Sequence, residues 1–208
     1  MKEAQANSVR NLEHLYTTVV ALALSLAIYN LIDVTRRPIP LKVELVPFFL
    51  ALLITLIPFY HGALRHLDIT YVEKGGKNVR KGALLIDFLA LFIESCLFVV
   101  LSALLPRPIS FAWVLVALLA FDTAWGVMAH LGFSKEEKPK PELTWALINF
   151  VSVIVISIYL IVLGFVPSIE IEYVSNLKLS ASIVGFSLLR TVVDYILCWD
   201  TYYPSAKH

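Results

Sequence analysis

Asp87, Glu94, Asp122, Arg190 and Asp194 each lie inside a stretch of mostly apolar residues, as does the amide of Asn149. A lone charge at the centre of a bilayer costs about 2.5–3.5 kcal/mol on insertion scales, so such groups must face one another or a water-filled cavity. Asp87 and Glu94 are seven residues apart and share one helical face. Arg190 and Asp194 stand at i and i+4, close enough to pair. Buried acids grouped with an arginine form the kind of set that binds or relays protons, cations or small polar solutes. Polar side chains also serve as plain interhelical glue. Four acids, however, exceed what one arginine can neutralise.

A second group is His61, Arg65, His66 and Asp68. His61, Arg65 and Asp68 follow an i, i+4, i+7 spacing that lines one face, and the set could supply acid, base and anion clamp to an enzyme working on a lipid or a small cytoplasmic substrate. Metal chemistry finds less support. His61 and His66 are five apart, about 140° round a helix, so they do not meet at one point as the i, i+4 histidines of a helical zinc site do. A haem held by His61 or His66 with His130 is the remaining metal-type reading, and the cofactor stays open. No Ser has the Gly-x-Ser-x-Gly setting of a nucleophile elbow. Asp87 and Asp122 on neighbouring helices could form an acid dyad sharing one proton, without support from their flanking residues.

The elements that position these groups follow from composition. Of 208 residues, 59% are hydrophobic and 16% charged, with a mean hydropathy of +0.78, whereas soluble domains are about 45–50% apolar. A net charge of +1 provides no field to attract nucleic acid, which is excluded as a partner. Cys96 and Cys198 sit in apolar runs and read as small buried hydrophobes. The first apolar run is too long for a signal-peptide core of about 7–15 residues, so it reads as a span.

Runs of about 20 apolar residues bounded by charge, Pro or Gly predict an all-α, polytopic bundle of six transmembrane helices in a single domain, 1–208. The spans are expected at about 12–32, 43–67, 83–105, 109–131, 143–166 and 177–199. Pro58 is expected to kink the second. Pro106-Arg107-Pro108 makes the third and fourth antiparallel neighbours. Segments 68–82 and 134–142 read as solvated loops, where a soluble partner protein could dock. Pro167 to Asn176 reads as a short external loop.

Orientation comes from Lys and Arg. The side shared by the termini and the second and fourth loops carries ten of them, and the other side five, which predicts cytoplasmic termini and a cell (inner or plasma) membrane location. On that topology the in-span polar groups crowd into the cytoplasmic half, and Trp125, Trp145, Trp199, Tyr202 and Tyr203 read as an interfacial belt. The expectation is a channel or transporter-like protein with a cytoplasm-facing acidic vestibule, in contact with membrane lipids and assembling as a homo-oligomer. A membrane enzyme and a sensor or adaptor acting through a partner protein are the alternatives.

Overall fold

Six long apolar runs become six long helices because a helix satisfies every backbone donor and acceptor within its own segment. In the computed structural model, residues 2–35, 37–73, 82–132, 141–165 and 172–204 are described. They form α1 (Lys2–Leu31), α2 (Val46–Leu67), α3 (Ala83–Ala103), α4 (Pro108–Gly132), α5 (Pro141–Phe165) and α6 (Glu172–Tyr202). Among the described residues, six helices are long and apolar enough to cross a membrane.

The helices pack in a circuit α1–α3–α4–α5–α6–α2 that closes on α1, with α2·α3 and α4·α6 contacts bridging its middle. The tightest pairs are α4 with α5, α1 with α3 and α2 with α6. The chain turns from α3 to α4 through Arg107, whose N–H donates to the Leu104 carbonyl at 2.8 Å. Pro108 then opens α4, a position where its missing N–H costs nothing. Between α1 and α2 the chain folds back on itself, with Asp33 and Lys42 amides donating to the carbonyls of Pro40 and Leu31 at 3.0 and 2.8 Å.

The interior holds two kinds of residue. Ala23, Ala27, Phe48, Leu52, Phe98, Leu101, Phe111 and Leu119 fill an apolar core, and Asp87, Glu94, Asp122, Asn149, Arg190 and Asp194 are buried with them. Large apolar side chains such as Leu22, Ile57, Leu85, Leu147 and Ile196 stand exposed on the outside. So many large apolar side chains on the outside, with ionisable groups buried within, depart from the pattern of a protein built for water.

Three segments differ from the sequence expectation. The second helix does not stop at a loop after Leu67. It runs on as a π-helical turn, Asp68–Glu73, that buries Tyr71, and residues 74–81 lie outside the described set. Glu142, read as part of an aqueous segment, is instead buried in the first turn of α5; residues 133–140 lie outside the described set. The partner surface expected at 68–82 and 134–142 therefore falls largely outside the described residues, as do residues 167–171 of the expected loop 167–176, whereas 172–176, read as loop, are already the first residues of α6. Pro58 sits within an unbroken α2. Its missing N–H leaves the Ile54 carbonyl without an intrahelical partner, and the Thr191 hydroxyl of α6 donates to that carbonyl at 2.9 Å.

Candidate functional site

The buried polar residues sort into two linked groups. The first is centred on Arg190 of α6. Its Nε donates to Asn149 Oδ1 of α5 at 2.6 Å, and the Asn149 amide nitrogen donates in turn to Asp122 of α4. Asn149 therefore links a guanidinium to a carboxylate, using its acceptor and its donor at once. The guanidinium carbon lies 4.6 Å from the centre of the Phe59 ring of α2, a cation–π contact. Glu94 of α3 accepts from the Tyr16 hydroxyl of α1 at 2.5 Å. One turn along α6 from Arg190, Asp194 Oδ2 accepts from the Tyr202 hydroxyl at 3.0 Å.

These groups meet at a cavity of about 20 Å³ lined by Glu94, Asp122, Arg190, Asp194, Trp125 and Trp145, among others, which is room for about one or two waters. Among the described residues, three atoms of cavity-lining side chains are left without a protein hydrogen-bond partner: Nη1 of Arg190, Oδ1 of Asp194 and Nε1 of Trp145. Arg190 is 8% exposed and Asp194 2%. The expected Arg190–Asp194 pairing is not among the ion pairs of the described residues, which join Arg65 to Glu73 and His66 to Asp87 and Glu142. Arg190 also borders a second cavity, of about 300 Å³, between α5 and α6, whose other walls are almost wholly apolar.

The second group surrounds His66 near the end of α2. Its Nε2 lies 3.1 Å from Asp87 Oδ2 of α3, and its Nδ1 3.0 Å from Glu142 Oε1 of α5. Asp87 also accepts from the Tyr71 hydroxyl at 2.7 Å and from the Trp125 indole N–H at 3.1 Å. The His66 and Trp125 rings meet edge to face with centroids 4.9 Å apart. Gly126 makes the α5 side of this arrangement attainable, because a Cβ there would come within 2.8 Å of the Glu142 carbonyl oxygen. Small residues at such crossings let helix backbones approach closely.

No family model, curated protein or solved structure matches this chain.

Of the expected vestibule residues, Glu94, Asp122, Arg190 and Asp194 share the cavity, and Asn149 ties two of them together. Asp87 faces inward as Glu94 does but serves the other group. Asp87 and Asp122 have different partners and share no proton. The proposed catalytic set does not meet as a unit. His61 stacks on Tyr202, with its Nδ1 3.3 Å from the Tyr195 hydroxyl. Arg65 donates to the Thr201 carbonyl at 2.7 Å and pairs with Glu73. His66 points elsewhere, about 140° round the helix from His61 and about 100° from Arg65, and Asp68 opens the π turn. Both ring nitrogens of His66 are engaged by carboxylates. Among the described residues, no three His, Cys, Asp or Glu gather to hold a metal.

Sequence reasoning missed Tyr16, Tyr71, Trp125, Trp145, Tyr202 and Glu142 as parts of the site. The aromatic belt divides: Trp199 and Tyr203 are exposed, whereas Trp125, Trp145 and Tyr202 are buried.

Proposed function

We propose that this chain is a multi-pass membrane protein of the channel or transporter type that handles an ion or small polar solute at the cavity between Glu94, Asp122, Arg190 and Asp194. The apolar outer surface supports insertion, because in water the exposed side chains of six helices would drive aggregation. The bias of Lys and Arg supports cytoplasmic termini and a plasma or inner membrane location.

One observation carries the functional reading. The cavity is lined by three buried carboxylates and one arginine, and Nη1 of Arg190 and Oδ1 of Asp194 are among the lining atoms that lack protein partners. Buried polar groups are as a rule satisfied, so a donor and an acceptor held open beside a cavity of water size favour an occupant such as a water, a proton carried on water, or a small polar group. A bundle held together only by its polar contacts would gain by closing these two atoms on each other.

Reconstitution into liposomes tests the reading. Vesicles containing the protein are expected to pass protons or small cations faster than protein-free vesicles, as followed by an entrapped pH-sensitive dye. Glu94→Gln and Asp122→Asn are expected to abolish the difference while leaving the helical circular dichroism and melting temperature near those of the parent. Equal flux with and without protein would end the proposal.

A further inference from the structure

The His66 group stands apart from the Arg190 group and has its own chemistry. A carboxylate has no hydrogen to give, so each contact between His66 and an acid needs a proton on one of its two atoms. Asp87 already accepts from Tyr71 and Trp125, which suits it to accept from Nε2 as well. The proton between Nδ1 and Glu142 Oε1 is the one free to leave. With it in place, the contact is a hydrogen bond whichever atom carries the hydrogen. Without it, two lone pairs face each other across 3.0 Å, in a site where His66 is 2% exposed.

We propose that His66, Asp87 and Glu142 form a proton-binding site joining α2, α3 and α5, and that the proton it takes up is the ion whose movement is coupled to the Arg190 cavity. Proton binding stands on the geometry of the three side chains; only the coupling rests on the transport reading above. Release moves the proton from Nδ1 to Oε1 of Glu142 and on to water, breaking the N–H bond and leaving a neutral imidazole still donating through Nε2 to Asp87. The link from α2 to the first turn of α5 is then lost, and the link to α3 is kept.

Trp125 supplies the connection to the cavity, since its N–H is on Asp87 and its ring is among the cavity walls. The groups facing His66 are Asp87 from α3, Glu142 from α5, Tyr71 from the π turn and Trp125 from α4. Asp122 of α4 acts on it from further away. Arg65 on the same helix is committed to Glu73 and Thr201.

Glu142→Gln is the decisive variant. A glutamine amide can donate to a neutral Nδ1, so the α2–α5 link survives without the mobile proton. Tryptophan emission of the full chain in detergent micelles, followed from about pH 4 to pH 10 across the range of His and carboxyl titration, reads the site because a protonated imidazole quenches an indole in contact with it. Wild type is expected to show a one-proton transition, which is lost in Trp125→Phe and flat in Glu142→Gln. A flat wild-type profile, a transition that persists in Trp125→Phe, or one unchanged in Glu142→Gln would each overturn the proposal. Spectra of protein labelled with ¹⁵N-histidine give a second readout, in which one ring titrates in wild type and not in Glu142→Gln. Emission requires no transport. A transition without flux would sustain the proton site and remove the transport reading, and flux without a transition would do the reverse.

Discussion

The Thr191 hydroxyl donates to the Ile54 carbonyl across the α2–α6 interface, at the place where Pro58 withholds the N–H that carbonyl would otherwise accept. A proline within a spanning helix is tolerated when a neighbour restores the bond it removes. Thr191→Val is expected to destabilise the bundle by about 0.6 kcal/mol, the average for interhelical hydrogen bonds in membranes, and by no more than about 1.7 kcal/mol. In a Pro58→Ala background the helix supplies its own donor, and the same substitution is expected to cost much less. A double-mutant cycle on unfolding midpoints measures the coupling; additive effects would contradict it.

Asn149 holds a guanidinium on one side and a carboxylate on the other. Asn149→Leu removes both bonds without removing either charge, and breaking such a buried arrangement typically costs about 3–5 kcal/mol. A large fall in melting temperature is expected. Asn149→Gln keeps both functions on a longer stem and is expected to retain more stability than Leu.

Gly126→Ala places a methyl group 2.8 Å from the Glu142 carbonyl oxygen and 3.1 Å from the Ala146 Cβ. Neither α4 nor α5 can yield cheaply, since the first contact is backbone. The expected cost is about 1–3 kcal/mol, as for other overpacked sites, together with a shifted or weakened pH transition in tryptophan emission. Normal melting and an unaltered transition would show that the close approach is dispensable.

The proposed orientation predicts the labelling of single cysteines by a membrane-impermeant reagent, in a background where Cys96 and Cys198 are replaced by Ala. Cysteines at Lys77 and Lys138 are expected to react in inside-out vesicles and not in intact cells. A cysteine at Arg107 is expected to behave in the opposite way. Reversed labelling would invert the topology and place the polar groups near the outer face.

The sequence reveals the helices and the inward-facing charges but little of their partners. Six apolar runs and the cost of charge in hydrocarbon are enough to place Glu94, Asp122, Arg190 and Asp194 in the interior, and all four line one cavity. Their pairing is set by helix rotation and crossing, which hydropathy does not encode. Arg190 is thus bound through Asn149, not to Asp194, four residues on. Glu142 follows a run of Lys and Glu that reads as aqueous, and only the close approach at Gly126 carries it to His66. Tyr71 sits beyond the apparent end of a span, in a π turn that local propensity does not announce. Trp125 and Trp199 look alike in sequence at a membrane boundary, yet they are 4% and 55% exposed, because one lies on the packed face of its helix and the other on the outer face.

Asp194 provides the sharpest test of the ion-handling account, because Asp194→Asn keeps the shape of the side chain and an acceptor for Tyr202 while removing the charge beside Arg190. Dye-monitored flux into liposomes carrying this variant, at a protein density matched to the parent and with matched melting temperature, is predicted to fall to the rate of protein-free vesicles. Flux equal to that of the parent would mean that the cavity lined by α2 to α6 takes no part in moving the ion.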